Sequence, residues 1–523
     1  MNKKSESDKK LKVLVGICFL LVISVSFLSL SQYNYILPGD SVFHWKHTSE
    51  IQREKKIIYH NAFFPEAPLW YPYGYHVVFA VISNITDLNL NLIFLYTPLI
   101  FYMFYFSVIY FFVKRLTNNT LIGLLSAFSI LFFWVGYPGY RIFFYLWATP
   151  RMITPFIIIL VMSLLFYFKK ISWIIIALLS FTIGIFHRST AIVFFIFLFI
   201  YAGLKFLKKC SIKMPLIAIF FLFISASIWS MPYLINHGIP FSDLKGNMLP
   251  RTENINTETH ELTLIENINK GINPFIEPFL LKEKVPMLLA WFLFSIFGFF
   301  IFIRRYRGFE ASLVFSLFLL LALINSFFLN IEIINDMMRY LLVPFLFCIF
   351  FGVGIYHILI ENQSNIKKVT MILLLLIMIS STLVVASNLY FERLDSPKYL
   401  QISKDAINFL KNTPENSTIF ADSMSSYYFA HLTGRKVYTS QEGHLGPLYG
   451  LNYSLRKINR EIIMTSCNIN ETREILNNNY PAYVYIGWLE NAKYDVCLEK
   501  FEKYFEVEDF VLDKVYYLKG EFP

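Results

Sequence analysis

The residues richest in chemistry open one stretch, Pro38-Gly39-Asp40-Ser41-Val42-Phe43-His44-Trp45, which continues to Trp70-Tyr71-Pro72-Tyr73-Gly74-Tyr75-His76. If a helix starts at Asp40, then Asp40 and His44 lie one turn apart on one face. A carboxylate there can serve as a general base or a metal ligand. Asp after Pro-Gly is equally a good helix N-cap, so spacing alone leaves both roles open. His44, His47, His60 and His76 crowd the same stretch. Only His44 and His47 are close enough to share a helix face, and no third ligand stands at a recognisable metal spacing.

Cations able to grip a phosphate stand further along. An arginine holds phosphate oxygens in a fork, and Arg339 follows Asn335 and Asp336 at the end of an apolar run. Arg141 and Arg151 flank a short stretch, in Tyr140-Arg141-Ile142 and Pro150-Arg151-Met152. Each also suits interfacial anchoring, with its stem on apolar surface and its head in water. His187-Arg188-Ser189-Thr190 separates two apolar runs; such a polar corner either lines a cavity or only turns the chain. No zinc spacing, Walker loop or G-x-G-x-x-G occurs, which argues against an ATP-driven pump.

What must position these residues is a membrane. The chain has 523 residues, 56% hydrophobic and only 16% charged, with a mean hydropathy of +0.52. Apolar runs recur from Leu11 to Ser387, each long enough to cross about 30 Å of hydrocarbon as a helix. They predict about eleven spans: 11–30, 91–113, 120–137, 151–168, 171–187, 189–206, 214–234, 286–303, 309–329, 340–360 and 369–388. Tyr75–Thr86 is apolar but too short to span, and reads as an interfacial or re-entrant helix. The first run follows Lys3, Lys4, Lys9, Lys10 and Lys12 without a small-residue cleavage site, and reads as an uncleaved first helix.

The net charge of +10 sits largely in short turns between runs, so it reports orientation in the membrane, not nucleic-acid binding. With these spans all six basic clusters fall on one face, which predicts a cytoplasmic N-terminus and an outer C-terminal domain. The outer face then owns loops 31–90 and 235–284, a short piece at 138–150 and the tail. The expected division is a membrane domain, 1–389, followed by a soluble extracytoplasmic α/β domain, 390–523. In that tail the spacing predicts helices at Tyr399–Leu410, Ser426–Leu432, 471–478 and 495–504. It predicts strands at Thr418–Ala421, Lys436–Thr439, Ala482–Ile486 and Val511–Leu518, a layer of helices on a sheet. Cys467 and Cys497 both fall in this domain, where the redox setting permits a disulfide but does not require one.

A cytoplasmic start, one helix, an outer loop opening on an acidic residue, and the Tyr71-Pro72-Tyr73-Gly74-Tyr75-His76 stretch together resemble the GT-C glycosyltransferases. These are integral membrane enzymes that use polyprenyl-phosphate-linked sugars. The helix at 91–113 with Lys114-Arg115-Leu116 is similar to the second span of that superfamily, and the tail from Tyr399 to Tyr438 to outer domains appended to some members. The resemblance implies Asp40 as catalytic base of an inverting transfer. It implies substrate contacts from His44, Tyr75, His76, Arg141, Arg151, His187, Arg188 and Arg339. The implied partners are a polyprenyl-phosphate sugar donor, a glycan, lipid or protein acceptor, and membrane lipids, with no nucleic acid. Many members carry a second acidic residue nearby. Here Glu50, Glu54 and Glu66 are the available carboxylates and none forms an acidic pair with Asp40, which leaves the acceptor and a divalent metal ion open. Two other functions fit the same layout, a multi-pass transporter or lipid flippase and a non-catalytic membrane scaffold. The first wants charges deep within spans, whereas most charges here lie at span ends.

Overall fold

The computed structural model describes residues 40–67, 69, 71–133, 149–167, 172–237, 286–316, 343–361, 402–440, 453–510 and 513–517, with isolated positions between 13 and 24. The membrane-rich part contains α1 (Asp40–Glu54), α2 (Gly74–Thr86), α3 (Leu90–Thr117), α4 (Thr120–Phe133), α5 (Pro150–Tyr167), α6 (Trp173–Phe186), α7 (Arg188–Leu207), α8 (Lys213–His237), α9 (Pro286–Arg305) and α10 (Val343–Ile355). A π-helical turn, Tyr356–Glu361, continues α10. The tail adds α11 (Lys404–Asn412), β1 (Thr418–Phe420), α12 (Ser423–Leu432), β2 (Lys436–Val437), α13 (Tyr453–Thr465), α14 (Ile469–Asn477), β3 (Ala482–Ile486), α15 (Trp488–Lys493), α16 (Leu498–Tyr504), β4 (Glu506–Asp509) and β5 (Lys514–Tyr517).

Packing divides the chain into two units. The first is Met1–Asn34, Pro72–Tyr75 and Leu95–Tyr390; the second is Tyr35–Tyr71, His76–Phe94 and Phe391–Pro523. The second unit thus groups Tyr35–Tyr71 and His76–Phe94 with the tail from Phe391.

In the first unit the helices are apolar and packed through small residues. Among the described residues, Leu90–Thr117, Thr190–Leu207 and Lys213–Pro232 are long and apolar enough to cross a bilayer, and shorter apolar helices accompany them. Of the expected spans, 369–388, nearly all of 11–30 and part of 309–329 lie outside the described residues. Lipid gives no hydrophobic drive between helices, so close backbone contact must hold them. A Cβ added to Gly298 of α9 would lie 1.7 Å from the Phe350 carbonyl oxygen of α10. A Cβ on Gly184 of α6 would lie 1.9 Å from Ser225 Oγ of α8. The Trp229 indole N–H then donates to the Gly184 carbonyl at 3.1 Å.

In the second unit a five-stranded sheet has the order β2-β1-β3-β5-β4. β1 is parallel to β2 and β3, and β5 is antiparallel to β3 and β4. Successive residues of a strand face opposite sides, and two cores follow. Ile419, Tyr485 and Val515 join α11 and α12 on one side. Phe420, Val484, Ile486 and Tyr516 join α13, α14 and α16 on the other. The first core also contains Val42 and Phe43 of α1 and Phe63, Phe64, Ala67 and Leu69 of the loop after it.

The expected tail strands all appear: β3 with the predicted bounds, β1 and β2 shorter, and β5 within the described residues of the fourth. α12 starts three residues earlier than its pattern suggests, because Asp422 caps it and accepts from Met424 N–H at 3.0 Å. It stops before Gly434, whose φ of +74° is the left-handed conformation that glycine adopts without strain. The sequence reading assigns nothing to α13, α15 or β4. Cys467 and Cys497 are disulfide-bonded, with Cα atoms 5.4 Å apart.

Candidate active site

α1 begins at Asp40, with His44 one turn later, the arrangement on which the sequence argument depends. Ser41, His44, Lys46, His47, Thr48 and Glu50 of this helix are nevertheless buried. Buried polar groups need partners, and the loop, α2 and the tail supply them. Phe43 N–H, in the first turn, donates to the Tyr427 hydroxyl of α12 at 3.1 Å. The Phe63 ring stacks on Tyr427 with centroids 5.5 Å apart. Trp45 meets His431 edge to face at 4.4 Å. The start of α1 is therefore seated on the tail's longest-range contacts.

His44 and His76 come together, as the sequence could not specify. His44 Nδ1 lies 2.9 Å from His76 Nε2, with the rings nearly parallel at 5.2 Å. One nitrogen must donate and the other accept, so the pair shares one proton across the gap. Both rings are almost inaccessible, at 4% and 0% exposure, so in this conformation they support the helix from behind. His47, which shares α1 with His44, turns to the loop instead. Its Nε2 accepts from Ala62 N–H at 3.2 Å, so Nδ1 carries the proton and donates to the Phe43 carbonyl at 2.9 Å. Burial pulls the His47 ring down to about 3, against a smaller opposing effect of that carbonyl. Burial likewise lowers Lys46, partly offset by Glu50, and pulls His431 down to about 3.

The other acidic candidates are engaged. Glu50 lies 3.5 Å from Lys46 and 2.5 Å from Arg53, and Glu66 pairs with Arg456. Glu54 pairs with Arg53 at 3.2 Å and Lys56 at 3.3 Å. Among the described residues no group of three His, Cys, Asp or Glu side chains is placed to hold a metal ion.

The first unit holds its own polar corner. His187 is buried and caps α7, its Nδ1 accepting from Thr190 N–H at 3.3 Å. Nδ1 is thus an acceptor, and the Thr190 hydroxyl 2.6 Å away donates to it as well. Thr154 of α5 adds its hydroxyl, 3.1 Å from Thr190 Oγ1. Arg188 is the first residue of α7 and half-buried, and Arg151 is the second of α5. Tyr75 is fully buried and lies edge to face on Phe186 at 5.8 Å. Gly74 permits this approach, since a Cβ there would lie 2.9 Å from the Ile185 carbonyl oxygen. Arg141 and Arg339 lie outside the described residues. Sequence reasoning missed the Thr154–Thr190 contact and the seating of α1 on Tyr427 and His431. The excess of polar residues on α1 was a signal that it is covered by more than lipid.

Two solved structures share this fold over nearly their whole length. A crystal structure of ArnT from Cupriavidus metallidurans bound to undecaprenyl phosphate superposes with a TM-score of 0.59 at 9% identity, covering 97% of this chain and 98% of that one. The apo state of the same protein gives 0.56 at 10% identity, covering 98% of each chain. No protein-family model matches the sequence, and no curated protein sequence matches it. The likeness is one of fold: mostly helical, with a small C-terminal sheet.

Proposed function

We propose that this chain is a glycosyltransferase that moves a sugar from a polyprenyl-phosphate carrier to an acceptor on the outer face of the membrane. The observation that carries the reading is the fold likeness over 97% of the chain to a structure holding undecaprenyl phosphate. The start of α1 at Asp40, on a helix packed through its polar side chains, supports the assignment of the base. The six basic clusters on one face support an outer location for this loop and the tail.

In this reading the Asp40 carboxylate takes the proton of an acceptor hydroxyl. The oxygen attacks the anomeric carbon from the face opposite the lipid phosphate, the carbon–oxygen bond to that phosphate breaks, and the phosphate leaves with the bonding pair. The anomeric centre inverts. Arg339, Arg141 and Arg151 are the proposed phosphate-side cations, stabilising the charge that builds on the leaving group. His187, Arg188 and Tyr75 are the proposed donor-side contacts, and the buried His187 and Tyr75 reach substrate only if their packing opens. His44 and His76 hold α1 in register so that Asp40 keeps one position, and reach substrate only if that pair opens.

The test is direct. Membranes containing the full chain are incubated with radiolabelled polyprenyl-phosphate sugars. The expected result is release of polyprenyl phosphate with label in a lipid, glycan or protein fraction. Donor recovered intact above every background rate, across a panel of sugars, overturns the proposal. Label moved across vesicle bilayers with no bond broken supports a flippase instead.

A further inference from the structure

The tail carries a second polar centre that the transfer reaction does not use. The order β2-β1-β3 places β1 between two parallel neighbours, and the chain crosses to opposite faces of the sheet after β1 and after β2. In open α/β sheets such a switch point leaves a crevice at the carboxyl ends of the strands, where ligands bind. The residues at those ends are Asp422 after β1, Thr439 and Ser440 after β2, and Gly487 with Glu490 after β3.

Their bonding leaves Arg460 without a carboxylate partner among the described residues. Asp422 is fully buried, and its carboxylate accepts from Met424 N–H at 3.0 Å, Lys493 Nζ at 2.7 Å and Tyr494 Oη at 2.9 Å. Glu490 is also fully buried and accepts from Asp422 N–H at 2.9 Å and Gly487 N–H at 3.2 Å. Arg460 of α13 reaches across the strand ends to the first residue of α12. One terminal nitrogen donates to Ser423 Oγ and, at 3.3 Å, to Thr439 Oγ1. Arg460 is only 8% exposed, yet among the described residues no carboxylate lies within ion-pair reach, and its Nε has no hydrogen-bond partner. The hydroxyl of Ser440, beside Thr439, is buried and without a partner too.

A buried guanidinium with neutral partners is expensive unless an anion completes it. Lys493 is half-exposed and pairs with Asp422, and Glu490 is held by backbone N–H groups, so Arg460, lying over the Tyr494 ring at 5.5 Å, is the buried cation here without an ion pair among the described residues. We propose that the carboxyl edge of β1, β2 and β3 is a phosphate-binding site, with Arg460 as its fork and Ser423, Thr439 and Ser440 as its hydroxyls. The ligand class is a phosphoryl group, free or carried as a monoester on a sugar or a lipid headgroup.

The experiment uses the full chain in nanodiscs and equilibrium binding of radiolabelled inorganic phosphate. The wild type is expected to bind one saturable equivalent that depends on Arg460. Arg460→Gln is expected to weaken binding about 10- to 100-fold, the worth of charge-assisted hydrogen bonds to one guanidinium. Lys503→Gln, on the exposed face of α16, should bind as the wild type does. Ser423→Ala keeps the Asp422 cap and should weaken binding several-fold, which decides the matter if Arg460→Gln does not fold. Competition then separates the sources: a hexose phosphate displaces the label at lower concentration if the monoester is on a sugar, and phosphatidic acid in the disc does so if it is on a lipid. No saturable binding by the wild type, or equal binding by the wild type, Arg460→Gln and Ser423→Ala, overturns the proposal.

Discussion

Mild acid should destabilise the second unit well before its carboxylates titrate. His47 and His431 are buried as neutral rings, each pulled from 6.5 to about 3 chiefly by burial. His47 illustrates the geometry, because Ala62 N–H occupies the nitrogen that a second proton would need. Below pH 6.5 the unfolded chain takes up these protons and the folded chain does not until about pH 3. The unfolded state therefore binds more protons throughout that window, and stability falls as pH falls. The stability is fully present above 6.5. Each group loses about 1.4 kcal/mol per pH unit, so at pH 5 each has lost about 2 kcal/mol and the pair about 4. That is a large part of a typical 5–15 kcal/mol. The assay is denaturant unfolding of the detergent-solubilised chain, followed by near-ultraviolet circular dichroism at pH 7 and pH 5. His47→Gln keeps an amide donor and acceptor but does not titrate, and should remove a share of the pH dependence, the rest coming from His431 and from His76, which burial also holds well below 6.5. A midpoint that does not move between pH 7 and 5, or a pH dependence unchanged in both His47→Gln and His431→Gln, refutes the reasoning.

Three further outcomes follow from particular contacts. Tyr427→Phe removes the hydroxyl that accepts from Phe43 N–H; it should cost about 1 kcal/mol in the same unfolding assay and lower transfer by loosening the start of α1. Gly298→Ala drives a Cβ against the Phe350 carbonyl, 1.7 Å away, and should lower the thermal midpoint of the membrane helices, read by far-ultraviolet dichroism. Cys467→Ser opens a loop of sequence separation 30, and should lower the tail's unfolding free energy by about 3.5 kcal/mol on the chain-entropy account.

Much of this was legible in the sequence because it is local. Apolar runs marked helices, Gly434 marked the end of α12, and the apolar, aromatic run Ala482–Ile486 marked β3. The start of a helix at Asp40 followed from Pro-Gly-Asp chemistry. What was not legible depends on contacts far apart in the chain. Phe43 and Tyr427 are 384 residues apart, so nothing near either one announces that the first loop shares a core with the tail. The histidines show the same limit. Spacing paired His44 with His47 on one helix, whereas the fold pairs His44 with His76 and sends His47 to Ala62. The missed elements are edge or amphipathic pieces: β4 has a single apolar residue, Val507, and it is exposed, and α13 carries Arg456, Lys457 and Arg460 among its apolar residues. Short strands on an edge leave little hydrophobic pattern to read.

The central claim is that a single carboxylate at the head of α1 removes the acceptor proton. The measurement closest to it is single-turnover transfer from a labelled polyprenyl-phosphate sugar by purified wild type and Asp40→Asn, with donor affinity measured in parallel. The account predicts that Asp40→Asn binds donor as the wild type does and loses transfer by a factor on the order of 100 or more. Transfer at the wild-type rate by Asp40→Asn contradicts it.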